Sequence, residues 1–293
     1  MKNTLPKYII YHANCIDGFI SAYCFWLKFG SKNCKFISAK YGNPFPVHND
    51  ELKETEVYIV DFSYEKEILL EVKNYCKKLV VLDHHKTAKK KLVGLDFVTF
   101  DMNKSGALLA WNYLFPKKKA PRLIRYVSDR DLFRLDLPNS LAINEVIQSN
   151  FIETINDFKT FKKLQAKLEN QKGLKITIQD GKAILKAKEA MVRLSIRRGL
   201  HFLEIGGYRV PVVNTSTLET EIGNRLAESY PDCKFGATYY DIGNGIENWS
   251  LRSIGKFDVS QVALLFGGGG HKNAAGFRRA KNASLNPKLK SDI

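Results

Sequence analysis

The sequence predicts an α/β protein of two domains, with a parallel-sheet N-terminal domain and a smaller α+β C-terminal domain. Two observations indicate this fold class. In the first part of the chain, short apolar runs alternate with helical segments of about a dozen residues, which is typical of βαβ units. After residue 200 several apolar runs follow with only two helical segments between them. A chain of 293 residues is long enough for each domain to bury its own core.

The N-terminal elements follow from apolar runs and their polar boundaries. Each predicted strand is a run of four apolar residues, as expected where both faces of a sheet are covered. Such strands are expected at residues 8–11, 57–60 and 79–82. Helices are expected at 18–28 and 65–76 and then, from the suitable N-cap Ser105 onward, at 106–115, 121–127, 141–148 and 157–169.

A charged segment links the two predicted domains. It begins near Asp180 and ends at Gly199, a suitable C-cap, and it predicts a connector helix, with an ordinary surface helix as the alternative. We therefore divide the chain into a domain at 1–180, a connector at 181–200 and a domain at 201–293. In the last domain, strands are expected at 201–205, 209–213, 234–240 and 248–253, helices at 219–229 and 259–266, and a polar tail from 281.

Composition narrows the class of function. Lys and Arg number 46 against 30 Asp and Glu, and the net charge of +16 favours polyanionic partners, a solvated basic surface being the alternative. Five cysteines without CxxC spacing argue against a disulfide framework or zinc ribbon and indicate a reducing compartment. The chain shows neither a signal-peptide core nor an apolar run of roughly 18 residues. We expect a soluble cytoplasmic protein without a membrane partner.

Acidic and histidine side chains stand directly after the three predicted strands. They are His12 and Asp17 after the first, Asp61 after the second, and Asp83, His84 and His85 after the third; Asp129 ends a helical segment at 123–128. Because parallel strands end on one edge of a sheet, the first three groups should converge. Imidazoles and clustered carboxylates suit Mn²⁺, Mg²⁺ or a related ion, and two such ions can activate water and neutralise a phosphoryl group.

In these residues and their order, the sequence resembles the DHH phosphoesterase superfamily, within it the RecJ-like and nanoRNase-like phosphodiesterases. The resemblance covers most of the chain and implies that residues 1–180 form a metal-binding catalytic domain. It implies two metal ions, usually Mn²⁺, with Mg²⁺ or Co²⁺ as alternatives. By this resemblance the metal ligands are His12 and Asp17, the bridging Asp61, and His84 with Asp129 at the second ion. The catalytic pair is Asp83, which orients a neighbour, and His85, which faces the scissile phosphate.

The chain departs from the family at its first motif. That motif usually carries His followed by two aspartates separated by one residue. Here only Asp17 is acidic, and Asn14 or Cys15 stands where the other aspartate is expected. An amide oxygen is a neutral hard ligand, whereas a thiolate is soft and unusual beside manganese. The first metal position is therefore expected to bind its ion more weakly, to coordinate it differently or to be filled only with substrate. The alternative is that Asn14 and Cys15 are simple loop residues.

A glycine-rich segment near the C-terminus is the second specific signal. Residues 267–271 read Gly-Gly-Gly-Gly-His, and consecutive glycines let a backbone approach an anion closely, a plain flexible loop being the alternative. The segment resembles the DHH-associated domain, in which a glycine-histidine box binds the nucleotide away from the reacting bond. The resemblance makes residues 201–293 a substrate-binding domain. Its expected substrate contacts are Arg252, Gly268, Gly269, Gly270 and His271.

These expectations combine into a metal-dependent phosphodiesterase that hydrolyses short oligonucleotides or dinucleotides by metal-activated water. The expected partner is short single-stranded nucleic acid or a dinucleotide, and a homodimer stays open. Three alternatives stay open as well: a non-catalytic or weakly active nucleic-acid-binding protein, a single-strand exonuclease and an inorganic pyrophosphatase. The sequence does not determine whether the substrate is DNA or RNA, whether it is linear or cyclic, or the polarity of degradation.

Overall fold

The computed structural model describes residues 5–153 and 157–286. The chain divides into two compact units, Met1–Ile184 and Leu185–Ile293. The boundary between the units lies inside one long helix, Gln171–Gly199.

The first unit is built on a five-stranded sheet in which every pairing is parallel. Its strands are β1 (Lys7–His12), β2 (Cys34–Ala39), β3 (Glu56–Val60), β4 (Lys78–Asp83) and β5 (Val98–Phe100), in the order β2-β1-β3-β4-β5. The three strands expected from the sequence are β1, β3 and β4, at the centre of the sheet. The two that the sequence did not predict are its edges. The order reverses between β1 and β3, which makes their carboxyl ends a topological switch point.

Helices cover both faces of this sheet, and that explains the uninterrupted apolar strands. In β1, Ile9 and Tyr11 belong to one apolar core, while Tyr8 and Ile10 belong to the core on the opposite face. The helices are α1 (Ile16–Phe29), α2 (Asn49–Leu52), α3 (Lys66–Tyr75), α4 (Lys86–Lys91), α5 (Gly106–Leu114), α6 (Arg122–Asp131), α7 (Ser140–Glu153) and α8 (Phe158–Glu169). Ser105 caps α5 as expected, since its hydroxyl accepts the Leu108 N–H.

The long helix α9 (Gln171–Gly199) starts about three turns before the predicted connector, and the expected start near Asp180 is wrong. The Asn170 side chain accepts the Gly173 N–H and caps the true start. Gly181, the first residue of the predicted connector, is a packing position, because a Cβ there would lie 1.9 Å from the Ala142 carbonyl oxygen. Neither α9 nor any other helix of the described residues is long and apolar enough to cross a membrane.

The second unit has a six-stranded mixed sheet of order β10-β11-β9-β8-β7-β6. Its elements are β6 (His201–Ile205), β7 (Tyr208–Asn214), α10 (Glu219–Ser229), β8 (Gly236–Asp241), β9 (Ile246–Arg252), α11 (Val259–Leu264), β10 (Gly269–His271) and β11 (Ala274–Ala280). No strand was predicted in the glycine segment 267–271, but three of its five residues form the edge strand β10, which pairs antiparallel with β11. The predicted polar tail begins at residue 281, and its part after residue 286 lies outside the described residues.

Candidate metal centre

Three strand ends bring His12, Asp61 and the Asp83-His84-His85 triplet together. β1 ends at His12, β4 ends at Asp83, and Asp61 follows β3 directly. The strand register places Tyr11 beside Val60 and Val60 beside Leu82, so the residue after each lies at one level of the sheet edge. The convergence expected from parallel strands is therefore present in the structure.

Asp61 lies at the centre of this cluster and is buried. Its Oδ1 is 3.1 Å from His84 Nε2, and its Oδ2 is 3.5 Å from His12 Nδ1. Burial opposes ionisation, but the contacts with His12 and His84 outweigh it and hold the pKa of Asp61 below its usual range. The backbone adopts a left-handed conformation here (φ 63°), which costs a non-glycine residue about 1–2 kcal/mol. The local fold thus imposes the position of this carboxylate.

Gly106, at the start of α5, is needed beside Asp61. A Cβ on Gly106 would lie 2.5 Å from the Asp61 Cβ and 2.7 Å from its Oδ1, so only glycine allows α5 to approach the site this closely. The same helix start donates backbone N–H groups to Asp17: Gly106 N–H to Oδ2 and Ala107 N–H to Oδ1. Asp17 is thereby fixed from α1 against the N-terminus of α5.

Asp17 and Asp61 repel each other electrostatically. Asp17 is buried, and burial together with the charges of Asp61 and Asp131 raises its pKa well above the usual carboxyl range. Asp17 Oδ2 is 3.8 Å from His84 Nε2. Packing carboxylates this closely is unfavourable unless a proton or a cation compensates their charge.

The Asp83-His84-His85 triplet is held by hydrogen bonds to Asp83, which is fully buried. Asp83 Oδ1 accepts the backbone N–H groups of His84 (2.7 Å) and His85 (3.1 Å) and lies 2.7 Å from His85 Nδ1. Ser63 donates its hydroxyl to Asp83 Oδ2. Asp83 therefore orients both histidines, and its hydrogen bond to His85 is the main reason that the pKa of His85 is raised.

Asp129 does not join the cluster, and Asp131 takes the place expected for it. Asp129 Oδ1 accepts the Asp136 N–H (3.0 Å), and its Oδ2 accepts the Leu137 N–H (3.4 Å) and the Ser140 hydroxyl. The carboxylate thus organises the loop that follows α6. Asp131 Oδ2, at the end of α6, is 3.6 Å from His84 Nε2. Burial raises the pKa of Asp131, with Asp61 adding to the effect and His84 opposing it.

Cys15 lies with the other candidate ligands of the first motif. One donor atom from each of His12, Cys15 and Asp61 comes within 4.8 Å of the other two. Asn14 is exposed in a left-handed turn (φ 58°). Burial and the neighbouring Asp61 raise the pKa of the Cys15 thiol, against the effect of the Gly18 N–H.

The donor set fits divalent cations. Three groups of ligand atoms occur within 4.8 Å among the described residues: His12-Cys15-Asp61, Asp61-His84-His85 and Asp17-His84-Asp131. His12 Nδ1 and Asp61 Oδ2 are buried and have no hydrogen-bond partner within the described parts of the chain. Buried polar atoms without partners are costly, so two of them facing one another indicate a missing ligand. Asp61 belongs to two of the groups, as a bridging carboxylate would.

The second unit contains a separate cavity of about 570 Å³ beside the glycine segment. Among the residues that line it are Arg252, Gly268, Gly269, Gly270 and Arg278. A Cβ on Gly268 would lie 2.2 Å from the Gly276 carbonyl oxygen, and Gly270 has a φ of 145°, so both positions require glycine. The predicted contact His271 is exposed and is not among the lining residues, whereas Arg278 is a lining cation that the sequence did not single out.

Comparisons with known proteins give two relatives by sequence, and no protein-family model matches the chain. The chain is 30% identical to the uncharacterized protein R106 of Acanthamoeba polyphaga mimivirus, over 92% of this chain and 66% of that protein. It is 23% identical to the oligoribonuclease NrnB of Bacillus subtilis, over 76% of this chain and 59% of that protein. The chain therefore spans less than two thirds of the length of either relative.

A solved structure shares the fold. The pGpG-specific phosphodiesterase PggH of Vibrio cholerae aligns over 94% of this chain and 93% of its own, with a TM-score of 0.51 and 13% sequence identity. The relatedness to NrnB, the shared two-part fold and the convergence of the sequence motifs at one sheet edge agree with one another. In sequence the chain is thus similar to an oligoribonuclease over part of its length, and in fold it is similar to a phosphodiesterase.

Proposed function

We propose that this protein is a divalent-metal-dependent phosphodiesterase that hydrolyses dinucleotides or short oligonucleotides. The observation that carries the proposal is the pair of buried, unpartnered atoms His12 Nδ1 and Asp61 Oδ2, set among further carboxylates and an imidazole. Asp61 would bridge two cations, one held with His12 and the other with Asp17, His84 and Asp131. Cations bound there would supply an activated water and neutralise charge on a phosphoryl group.

His85 is proposed to contact the reacting phosphate. Asp83 occupies its Nδ1, which leaves Nε2 as the ring nitrogen that can donate to a phosphate oxygen. The raised pKa of His85 increases the fraction of protonated imidazole near neutral pH. A positioned, protonated imidazole stabilises negative charge that grows on the phosphoryl oxygens as the bond breaks. Asp83 acts as a positioning residue in this arrangement.

The cavity of the second unit is proposed to bind the nucleotide portion of the substrate. Arg252 and Arg278 supply cationic donors for a phosphate, and the glycine segment lets the ligand approach the backbone. Binding energy from this part of the substrate would raise the affinity for nucleotide-containing substrates. The excess of positive charge over the whole chain favours the same class of ligand.

The names of the relatives support a small nucleic-acid substrate. One relative is an oligoribonuclease, and the structural neighbour is a phosphodiesterase specific for pGpG. Ribonucleotide substrates should therefore be tested first. No comparable support exists for pyrophosphate hydrolysis, although the metal cluster alone is compatible with it.

A substrate panel tests the proposal. Purified protein with Mn²⁺ is incubated with a linear diribonucleotide, a cyclic dinucleotide, single strands of increasing length and pyrophosphate, and the products are identified. We expect the fastest turnover on the linear dinucleotide and the shortest strands, with mononucleotide products. Preference for long strands would indicate an exonuclease, and preference for pyrophosphate a pyrophosphatase. Tight oligonucleotide binding without turnover in Mn²⁺, Mg²⁺ or Co²⁺ would reject the enzyme.

Cation binding should stabilise the metal-free protein. A ligand present at about 100 times its Kd adds roughly 2.7 kcal/mol to the free energy of unfolding when only the folded state binds it. We expect a rise in Tm on adding Mn²⁺ to protein stripped with a chelator, because the cation relieves the repulsion between Asp17 and Asp61. NaCl at equal ionic strength is the control. Equal shifts from both salts would contradict a specific site.

Arg252 should affect substrate binding more than the chemical step. It is fixed in the cavity by hydrogen bonds of 2.9 Å to Ser250 Oγ and Thr220 Oγ1. Because lysine lacks the planar fork of donors, Arg252→Lys should raise KM for a dinucleotide about tenfold, equivalent to ~1.4 kcal/mol of binding. Turnover of bis(p-nitrophenyl) phosphate, which has no nucleoside, should stay unchanged.

The matched control for Arg252 is Arg209→Lys, which makes the same change on β7 at a residue that does not line the cavity. Steady-state kinetics of both variants on both substrates separate nucleotide binding from the chemical step. An unchanged KM for the dinucleotide in Arg252→Lys would remove Arg252 from the substrate contacts.

A further inference from the structure

The first-motif metal position contains a sulfur atom where a carboxylate is expected. Cys15 precedes α1, and its donor atom lies within 4.8 Å of those of His12 and Asp61. The state of Asp61 also indicates a ligand at this position. Its side chain is 1% exposed, and its Oδ2 is buried without a hydrogen-bond partner in the described residues.

The other candidate for this ligand position is Asn14. It is exposed and lies in a left-handed turn, whereas Cys15 is half-buried beside His12 and Asp61. A soft sulfur donor therefore lies beside the imidazole of His12 and the carboxylate of Asp61 at this position.

The two proposed metal positions therefore differ in chemistry. The group Asp17-His84-Asp131 offers only oxygen and nitrogen donors, which suit Mn²⁺ and Mg²⁺. The group His12-Cys15-Asp61 offers one sulfur, one nitrogen and one oxygen donor, a set that suits borderline ions such as Zn²⁺, Co²⁺ or Fe²⁺. Asp61, whose Oδ1 is 3.1 Å from His84 Nε2 of the other group, would link the two ions.

We propose that Cys15 Sγ is a metal ligand together with His12 and Asp61, and that this position selects a borderline divalent ion over Mn²⁺ or Mg²⁺. The inference rests on the proposed function, since it assigns one position of the same metal centre. On binding, the thiol releases its proton to solvent and the thiolate bonds to the ion, so no oxidant or reductant takes part. The protein then carries two different metal ions in adjacent positions.

Co²⁺ is the probe that tests the assignment, because it reports sulfur ligation in its absorption spectrum. Metal-free full-length protein is titrated with Co²⁺ in the wild type and in Cys15→Ser, Cys15→Asp and Cys233→Ser. Cys233 is a partly exposed free cysteine of the second unit and serves as the matched control. Circular dichroism establishes that each variant is folded.

We expect a near-ultraviolet thiolate-to-cobalt charge-transfer band in the wild type and in Cys233→Ser. The band should be lost in Cys15→Ser and Cys15→Asp, while Cys15→Asp keeps the visible d–d bands of bound Co²⁺. Visible bands without the charge-transfer band in the wild type would overturn the role of Cys15 and leave the metal centre intact. A charge-transfer band that persists in Cys15→Ser would overturn it as well. No Co²⁺ bands in the wild type would reject the metal centre itself.

Discussion

Asp61→Asn should abolish metal-dependent hydrolysis, with a fall in kcat/KM on the order of 10³-fold. Asp61 is the only residue shared by the His12-Cys15-Asp61 and Asp61-His84-His85 donor groups found among the described residues. The change keeps the shape of the side chain but removes the charge and one acceptor oxygen. Both cations would then lose a ligand, so the nucleophile and the phosphoryl group lose their electrostatic support together.

The fold of this variant should be unaffected, which separates loss of function from loss of structure. The neutral amide introduced by Asp61→Asn would no longer repel Asp17, whose pKa is raised partly by the charge of Asp61. We expect a metal-free Tm close to that of the wild type and no rise in Tm on adding Mn²⁺. Activity within a few fold of the wild type, or an undiminished Mn²⁺-induced rise, would contradict the bridging role. Asp136→Asn, an exposed change that leaves the metal cluster untouched, is the control.

The neighbouring acids Asp129 and Asp131 should give opposite results when each is changed to Asn. Asp131→Asn should lower kcat roughly 100-fold with little change in stability, because its carboxylate faces His84 and burial already disfavours its charge. Asp129→Asn should instead destabilise the protein by about 2–4 kcal/mol. An amide offers only one acceptor oxygen to the donors from Asp136, Leu137 and Ser140.

Urea unfolding and kinetics on folded protein, performed on both variants, measure the two effects separately. The expected outcome is a destabilised but metal-binding Asp129→Asn protein and a stable but impaired Asp131→Asn protein. The reverse pattern would restore Asp129 as the ligand expected from the family resemblance. If both variants lost activity to a similar extent with unchanged stability, Asp129 would be needed to position the metal centre through the loop after α6.

The sequence predicted the centre of the first sheet and the polar residues that converge at its edge for one physical reason. A strand that is covered on both faces must be apolar throughout, so β1, β3 and β4 are visible as runs, and the polar residues that follow them mark the sheet edge. The edge strands lack this signal: β2 is mostly half-exposed, and β5 has only three residues. These two strands are defined only by their pairing with β1 and β4.

The choice between Asp129 and Asp131 could not be made from sequence. Two positions apart on a helix, their side chains point about 200° away from each other, so only one can face the sheet edge. Which one does so depends on how α6 packs and on the loop that returns to Asp129. The edge strand β10 could not be predicted for a related reason, because four consecutive glycines carry no strand propensity and β10 exists only through its pairing with β11.

Hydrolysis of a linear diribonucleotide by chelator-stripped protein, with and without added Mn²⁺, tests the central claim most directly. The wild type should form mononucleotides only after the cation is restored, and Asp61→Asn should form none at any Mn²⁺ concentration. Equal product formation by stripped and Mn²⁺-restored wild type would contradict the account, as would full activity of Asp61→Asn.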